Sequence, residues 1–346
     1  MKAADAPVPV HAATATAAHL LELQDLYVEF HTRDGIARVL NGVSCHVDAG
    51  ETLAVLGESG SGKSVTAQTI MGILDIPPAH IRSGRILYRG EDVLAMPDAA
   101  RRDIRGADIA MVFQDALSAL NPVFPVGWQI AEGLRLRQGM SRATAMQRAT
   151  ELMDRVKIPA ARARLRDYPH QFSGGMRQRV MIAMALALGP KVLIADEPTT
   201  ALDVTVQAQI MDLLAELQRE LGMALILITH DLGVVASVAD RIAVMYAGRI
   251  VEQADVYALY ERPAHPYTRA LIESIPQQHR RGQKLLTIEG LPPNLVRVPS
   301  GCPFHPRCPS CQPVCVTEVP PALDLGGNRL SACHFALQML EAHAQP

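Results

Sequence analysis

An eight-residue segment, GESGSGKS at residues 57–64, constrains this chain more than any other feature. It follows the apolar run Thr52–Leu56, which is short enough for a buried parallel strand, and it precedes a segment that predicts a helix over residues 65–74. Glycines at its first and sixth positions, followed by lysine and serine, have the spacing of a phosphate-binding P-loop. The sequence therefore predicts a strand, a loop that curls around a polyphosphate, and a helix.

The residue types in this loop suit the binding of a nucleotide with Mg²⁺. Its glycines permit the unusual dihedrals and the close approach that are needed when several backbone N–H groups meet one anion. Lys63 is expected to reach the β- and γ-phosphates, and the Ser64 hydroxyl is expected to bind Mg²⁺. A glycine-rich turn without a ligand is the alternative, but strand, lysine, serine and helix in register argue against it. The predicted ATP-binding residues of the loop are Gly57, Glu58, Ser59, Gly60, Ser61, Gly62, Lys63, Ser64 and Val65.

Composition excludes several classes of protein. The net charge of −2 over 346 residues argues against a protein that binds nucleic acid through a basic surface. No run approaches eighteen apolar residues, so no membrane-spanning segment is predicted. Residues 1–18 lack the basic start of a signal peptide, and we expect a disordered leader there. Of six cysteines only Cys45 precedes residue 302, which favours a reducing compartment and a local metal or cluster site.

Further strands and helices are predicted around the loop. Strands are expected at residues 21–30, 39–47, 86–88, 109–113, 192–195 and 224–228, with an antiparallel hairpin over 242–252. Helices are expected after the capping residue Ser141, over residues 180–188 and over 206–221. Near residue 262 the composition shifts to proline-rich segments with clustered cysteines. We therefore predict a main domain at 19–262, with a helical subdomain at about 114–178, and a C-terminal extension at 263–346.

Polar residues follow two of the predicted apolar strands. Asp196 and Glu197 come after one strand, and His230 follows the next. In open parallel sheets ligands bind beyond the carboxyl ends of the strands. Asp196 is a candidate Mg²⁺ ligand, and Glu197 is a candidate general base for an attacking water. A solvated strand end is the alternative for this pair, although the upstream P-loop argues for the metal site.

The segment FSGGMRQR at residues 172–179 resembles the signature motif of ATP-binding cassette (ABC) ATPases. The P-loop, Gln114, the Asp196-Glu197 pair, Asp203 and His230 occur in the order typical of that family, over roughly residues 21–253. Phe172 and Met176 depart from the family's usual Leu and Gln, while the Ser-Gly-Gly centre is intact. The resemblance implies an α/β fold of the P-loop NTPase class, with a mixed sheet flanked by helices, an inserted helical subdomain and a Cys/Pro-rich extension.

The resemblance also implies roles for individual residues. Ser173, Gly174 and Gly175 would cap the γ-phosphate of ATP bound by a second subunit, so the site would form in a head-to-tail homodimer or heterodimer. His230 would contact the γ-phosphate, Gln114 would approach Mg²⁺ and the water, and Asp203 would cross the dimer interface. Phe30 is the candidate for stacking on adenine, with Tyr27 as the second choice.

Segments outside these motifs narrow the resemblance to ATPases of dipeptide and oligopeptide importers. They are LNPV at 120–123, HPYT at 265–268, GCPF at 301–304 and PRC at 306–308. The implied partners are two membrane permease subunits and, indirectly, a solute-binding protein, with no nucleic acid, at the cytoplasmic face of the cell membrane. Peptides are the implied cargo, although relatives with this tail also serve nickel and other solutes. Pro125 and Trp128 depart from the family's pattern near the expected permease contact.

A non-transport ABC ATPase of the DNA-repair or translation type is the alternative function. Repair-type members separate P-loop and signature by a very long coiled coil, whereas here Ser173 follows Ser64 by 109 residues without sustained heptads. Translation-type members usually carry two cassettes, and this chain has one. The transport ATPase is therefore the favoured interpretation.

The cysteines of the predicted extension suit a metal centre. Thiolates among prolines favour Zn²⁺ or an iron–sulfur cluster. Some members of the resembled family carry a [4Fe–4S] cluster on four cysteines, and Cys302, Cys308, Cys315 and Cys333 match that pattern, whereas Cys311 looks extra. Reduced structural thiols are the alternative.

Overall fold

The computed structural model describes residues 19–200, 202–274 and 288–342, so the leader expected at 1–18 lies outside the described residues. The strands are β1 (Leu21–Thr32), β2 (Gly35–Val47), β3 (Thr52–Leu56), β4 (Ala79–Tyr88), β5 (Glu91–Asp92), β6 (Ile109–Val112), β7 (Val192–Asp196), β8 (Ala224–Thr229), β9 (Arg241–Tyr246), β10 (Arg249–Asp255), β11 (Leu323–Gly326) and β12 (Arg329–Ser331). The helices are α1 (Lys63–Met71), α2 (Asp98–Ile104), α3 (Ala116–Ala119), α4 (Val126–Gln138), α5 (Arg142–Arg155), α6 (Ala161–Arg164), α7 (Gly174–Leu186), α8 (Val204–Leu221), α9 (Leu232–Val238), α10 (Val256–Glu261), α11 (Pro266–Glu273), α12 (Pro313–Thr317) and α13 (Ala336–Ala342).

The strands form two sheets. A four-stranded antiparallel sheet has the order β2-β1-β4-β5, and an eight-stranded sheet has the order β11-β12-β10-β9-β3-β8-β7-β6. In the larger sheet β6, β7, β8, β3 and β9 are parallel, while β10, β12 and β11 continue it antiparallel. The prediction of an α/β fold with a mixed sheet and flanking helices is confirmed.

The central strands are apolar except at their ends because both faces of the larger sheet are covered. In β3, Ala54 and Leu56 belong to the core that also contains residues of α7 and α8, whereas Leu53 and Val55 belong to the core shared with α1 and the antiparallel sheet. All five residues of β3 are buried. This is the continuous hydrophobic pattern expected of a buried parallel strand.

Helices α3 to α6 lie in the chain between β6 and β7. The Ser141 side chain caps α5 by accepting a hydrogen bond from the Thr144 N–H, as the sequence predicts for this serine. Buried residues of α5, among them Leu152 and Met153, belong to the same core as Val180 and Met181 of α7. Helix α7 therefore connects this helical segment to the sheet.

The C-terminal residues add two strands to the larger sheet that the sequence analysis did not predict. Strand β12 pairs antiparallel with β10, with Ser331 opposite Glu252. The buried Glu252 carboxylate accepts hydrogen bonds from the backbone of Ala264 and His265, and it pairs with Arg329 of β12. Because β11 and β12 have only four and three residues, they carry too little apolar alternation to be recognised from sequence.

Candidate nucleotide-binding site

The phosphate loop joins the end of β3 to the start of α1. Helix α1 begins at Lys63, two residues earlier than predicted, so Lys63 and Ser64 lie in its first turn. Gly62 caps this helix with a φ of 108°, a left-handed value that favours glycine. A Cβ atom on Gly57 would lie 2.3 Å from the carbonyl oxygen of Met245 in β9. The left-handed backbone conformation therefore favours glycine at Gly62, and the close approach of the Met245 carbonyl requires it at Gly57.

Lys63 is buried within the loop. Its ammonium group donates to the carbonyl oxygens of Gly57 at 2.9 Å and Glu58 at 3.0 Å. Burial lowers the pKa of Lys63, and the nearby carboxylates of Glu197 and Asp196 oppose that shift. The loop thus curls around its own lysine, which places a positive charge beside the backbone N–H groups expected to bind phosphate.

The side chains of Ser64, in the first turn of α1, and Asp196, at the end of β7, are adjacent. The Ser64 hydroxyl donates to Asp196 Oδ1 at 3.0 Å. Burial raises the pKa of Asp196, while the hydrogen bond from Ser64 opposes the rise. A buried carboxylate beside a hydroxyl is a donor set of hard oxygens that fits Mg²⁺, because a divalent cation would compensate the buried charge.

Glu197 has an unusual backbone conformation and lies at the centre of a cluster of polar side chains. Its φ is 44°, in the left-handed region that non-glycine residues rarely adopt, and its N–H donates to the Ile228 carbonyl of β8 at 2.8 Å. Its Oε2 accepts from Gln114 Nε2 at 3.1 Å and from Thr200 Oγ1 at 2.9 Å. His230 Nδ1 lies 3.5 Å from its Oε1. Strained backbone of this kind clusters at functional sites.

Residues of the phosphate loop, together with Gln114, Glu197 and His230, surround one cavity of about 650 Å³. Its lining residues are Val39, Glu58, Ser59, Gly60, Gly62, Lys63, Ser64, Val65, Gln114, Glu197, His230, Pro292 and Leu295. Most of the predicted nucleotide contacts and all four predicted catalytic residues are in this set. Phe30 is not among the lining residues; it is partly buried and packs against the core beneath the antiparallel sheet. Val39 lines the cavity instead.

Other predicted residues lie on the surface outside this cavity. Ser173 is exposed and caps α7, accepting from the Met176 N–H at 3.4 Å. Gly174 and Gly175 begin that helix. Asp203 is also exposed and caps α8, accepting from the Val206 N–H at 2.9 Å. Within one chain the signature motif is therefore not part of the phosphate-loop cavity.

Sequence reasoning missed the contribution of the C-terminal residues to this site. Pro292 and Leu295 line the cavity. Tyr267 accepts a hydrogen bond from the Glu58 N–H at 2.9 Å, and Arg307 pairs with the Glu58 carboxylate. Tyr267 and Arg307 belong to motifs that the sequence analysis used only for the family resemblance. No local pattern indicated that they contact the phosphate loop.

The four cysteines singled out from the sequence line one small cavity of about 30 Å³, and Cys311 is exposed and does not line it. Burial raises the pKa of Cys308 and of Cys333 to about 11. Among the described residues, no three of these thiols have sulfur atoms that all lie within 4.8 Å of one another. Tetrahedral zinc needs sulfurs about 3.8 Å apart, given a Zn–S distance of about 2.3 Å. The arrangement is therefore more open than a preformed zinc site.

A phosphate loop after the central strand β3, with a magnesium-type carboxylate and a base-type glutamate at the end of β7, two strands away in the same sheet, defines a nucleotide-hydrolysing protein of the P-loop class. Comparison with family models narrows this class: the ABC transporter model matches residues 40–200, and the model of the oligopeptide/dipeptide transporter C-terminal region matches residues 251–315.

Curated relatives and solved structures agree with these matches. The oligopeptide transport ATP-binding protein OppD of Salmonella typhimurium is 49% identical over 325 residues, covering 93% of this chain and 95% of the relative. The dipeptide transport ATP-binding protein DppD of Bacillus subtilis is 50% identical over 296 residues, covering 86% and 88%. The post-hydrolysis dimer of the ATP-binding cassette MJ0796, bound to ADP and Pi, superposes with a TM-score of 0.61 at 27% identity, covering 68% of this chain and 98% of that one.

This chain belongs to the ABC transporter family, among the ATP-binding proteins of its oligopeptide and dipeptide branch. It is an ATPase coupled to transport, which confirms the favoured interpretation of the sequence over a repair or translation ATPase. No helix among residues 19–200, 202–274 and 288–342 is long and apolar enough to cross a bilayer.

Proposed function

We propose that two copies of this chain, or one copy and a similar ATPase, bind MgATP at a shared head-to-tail interface. ATP hydrolysis there would drive the import of peptides or a related solute through two membrane permease subunits. The observation that carries this proposal is the division of the site. The phosphate loop, Gln114, Glu197 and His230 surround one cavity, while the exposed signature motif lies outside it. A single chain thus presents two complementary halves of a nucleotide site.

The residues around the cavity support phosphoryl transfer to water. Loop N–H groups and Lys63 bind the phosphates, and the α1 N-terminus adds its positive dipole end. The oxygens of Ser64 and Asp196, with Gln114 nearby, would hold Mg²⁺, which would supply charge neutralisation. These interactions stabilise the negative charge that spreads over the transferred phosphoryl group.

Glu197 and His230 act on the attacking water. The Glu197 carboxylate lines the cavity and accepts its proton as general base. Gln114 and Thr200 donate to Glu197 Oε2, which orients the carboxylate and leaves Oε1 facing His230. His230, whose side chain is 64% exposed, is free to contact the γ-phosphate.

The second subunit completes the site with its signature motif. Ser173, Gly174 and Gly175 lie at the N-terminus of the thirteen-residue α7, where unpaired N–H groups and the helix dipole favour an anion. A γ-phosphate bound between the two surfaces holds the dimer together, and its cleavage releases them. Asp203, exposed at the start of α8, would cross this interface.

The named relatives support a cargo and a location for this chain. Relatives named for oligopeptide and dipeptide transport match more than four-fifths of the chain, which supports peptides as cargo. The chain would then lie at the cytoplasmic face of the cell membrane, bound to the permeases, with a solute-binding protein delivering the peptide on the other side.

A mixing experiment tests the shared site. Lys63→Ala removes the phosphate-loop charge, and Ser173→Glu places a negative charge where the γ-phosphate of the other subunit would lie. Glutamate is tolerated at a helix N-terminus, so the second variant should fold. Each variant alone should be inactive. In an equimolar mixture, half of the dimers contain one intact site of two, so we expect about a quarter of the wild-type ATPase rate per chain. A mixture as inactive as its components, from a chain that forms homodimers, would contradict the shared site.

The cysteines form a second part of the proposal. We propose that Cys302, Cys308, Cys315 and Cys333 hold a [4Fe–4S] cluster, supported by the one cavity that all four line and that the exposed Cys311 does not. Anaerobically purified protein should then contain iron and sulfide and absorb broadly in the visible range. Cys315→Ser should lose both, whereas Cys311→Ser, the exposed control, should keep them. A folded wild-type protein that is colourless and free of metal would refute this part.

A further inference from the structure

An ion pair with a buried arginine connects the phosphate loop to the C-terminal residues. Arg307 Nη1 donates to Glu58 Oε2 at 2.6 Å, and Nη2 donates to Glu58 Oε1 at 3.0 Å. Only 5% of the Arg307 side chain is exposed. Two parallel charge-assisted hydrogen bonds of this kind fix both the distance and the orientation of the carboxylate. The second residue of the phosphate loop is therefore held by a residue 249 positions later in the chain.

The remaining polar groups of Glu58 are also bound. Its N–H donates to the Tyr267 hydroxyl at 2.9 Å, and its carbonyl oxygen accepts from the Lys63 ammonium at 3.0 Å. The side chain, the amide and the carbonyl of this one residue are thus each held from a different direction. The backbone of Glu58 sets where the following N–H groups of Ser59 and Gly60 point, and both of these residues line the cavity.

The same guanidinium holds the segment that forms one wall of the cavity. Arg307 Nε donates to the Glu289 carbonyl at 3.0 Å. Three residues further on, Pro292 begins the part of this segment that lines the cavity with Leu295. The Leu295 carbonyl in turn accepts from the Arg38 N–H of β2 at 3.0 Å. Arg307 therefore bonds to the loop at Glu58 and to the segment that leads into this wall at Glu289.

The surroundings of Arg307 are rigid. Its guanidinium lies 5.9 Å from the centre of the Tyr246 ring, and Tyr246 packs against Tyr267 and Phe304. All three rings are almost fully buried. The hydrogen bond with Glu58 is the largest cause that raises the pKa of Arg307. A charged, desolvated guanidinium in a fixed aromatic setting can hold its partners with little loss of side-chain entropy on each ATPase cycle.

We propose that Arg307 is a positioning residue of the ATPase site, which holds Glu58 and the Pro292–Leu295 wall in the arrangement that binds ATP. This inference rests on the nucleotide site described under the proposed function. The C-terminal residues then form part of the nucleotide site itself, and the phosphate loop is preorganised from outside its own strand and helix. A merely structural role, in which Arg307 only fastens these residues to the sheet, is the competing explanation.

The structure offers a matched control for that explanation. Arg329 also forms a buried pair, with Glu252, and it also fastens C-terminal residues to the main sheet. Neither Arg329 nor Glu252 lines the nucleotide cavity. Arg329→Ala and Arg307→Ala should both lower the unfolding temperature, since the first leaves the buried Glu252 carboxylate without its partner and the second leaves the partly buried Glu58 carboxylate without its own. Only Arg307→Ala should weaken ATP binding.

The experiment measures the MgATP dissociation constant by titration calorimetry, the KM and kcat of hydrolysis, and the unfolding temperature of full-length variants. We expect Arg307→Ala to raise the dissociation constant and KM by about tenfold, with a much smaller change in kcat. Arg307→Lys should restore part of the affinity, because it keeps the charge but cannot contact Glu58 and Glu289 together. Combining Arg307→Ala with Glu58→Gln should cost less than the sum of the two single changes, since the variants remove the same interaction.

Each outcome decides the question. If Arg307→Ala binds ATP as the wild type does while its unfolding temperature falls, as with Arg329→Ala, the positioning role is overturned and the proposed function stands. If Arg307→Ala does not fold, Arg307→Lys decides: weaker ATP binding supports the role and unchanged binding overturns it. A folded wild-type chain that binds no ATP would overturn the proposed function, and this inference with it.

Discussion

Replacement of Glu197 by glutamine tests the general base with almost no other change to the site. Both donors to the carboxylate, Gln114 and Thr200, contact the same oxygen, Oε2. A glutamine with its carbonyl oxygen at that position keeps both hydrogen bonds, and its amide nitrogen takes the place of Oε1 beside His230. The side chains have nearly the same shape, so neither a cavity nor an unpaired buried group results. What is lost is the ability to accept a proton from water.

The expected effect is therefore large on the rate and small on stability. General-base catalysis contributes about 10²- to 10⁴-fold, so kcat should fall by that factor, which is about 3–5 kcal/mol in the activation free energy. The free energy of unfolding should stay within about 0.5 kcal/mol of the wild type. ATP binding should persist, because the phosphate loop, Ser64 and Asp196 are untouched. Since the proposed function makes ATP cleavage the step that releases the dimer, MgATP should trap the variant as a dimer.

The assay combines steady-state and single-turnover hydrolysis with equilibrium ATP binding and size-exclusion chromatography in MgATP. Glu216→Gln on α8 is the control, since its carboxylate pairs with Lys157 on the surface and does not line the cavity. It should hydrolyse ATP at the wild-type rate. A Glu197→Gln variant that turns over at the wild-type rate would refute the assignment of the base. A Glu197→Gln variant that no longer binds ATP would refute the claim that glutamine keeps both hydrogen bonds at the Oε2 position and leaves the rest of the site unchanged.

Two further predictions concern Asp196 and His265. Asp196→Asn should raise the Mg²⁺ concentration needed for half-maximal ATPase activity by about tenfold or more, because the charge that compensates the cation is lost. A magnesium titration measures this change, and an unchanged magnesium requirement would exclude Asp196 as a ligand. Burial lowers the pKa of His265 to about 3, so between that value and the unfolded pKa of about 6.5 the unfolded chain binds the extra proton and stability falls as the pH falls. The control is His265→Asn, which can still cap α11. Relative to this variant, the wild type should lose about 2 kcal/mol of unfolding free energy between pH 7 and pH 5, as measured by urea titrations. If the difference in unfolding free energy between the two proteins does not change with pH, the buried neutral histidine is contradicted.

Elements whose pattern is local could be predicted from the sequence. The continuous apolar runs of β3, β7 and β8 indicate strands buried on both faces, and the structure confirms each of them. The Ser141 cap likewise depends on residues within one turn of its helix. The motif residues are recognisable because a phosphate loop or a signature turn requires fixed residue types at fixed spacing. The domain boundary near residue 262 stays a prediction.

Proximity between distant residues was decided only by the tertiary structure. Ser64 and Asp196, 132 positions apart, meet because β3, β8 and β7 are neighbours in the sheet. The sequence alone could suggest a phosphate-loop serine and a carboxylate at a strand end, and the family resemblance could suggest their shared metal, but the hydrogen bond between them follows from strand order.

By itself the sequence determined that this chain has a phosphate loop, an acidic pair and a signature motif, each carried by a short contiguous run. Only the tertiary structure decided that Arg307 pairs with Glu58 and that Pro292 and Leu295 line the phosphate-loop cavity. The physical reason is the range of the interactions involved. Backbone conformation depends on a few adjacent residues, whereas the pairing of a buried charge with its partner depends on how the whole chain packs.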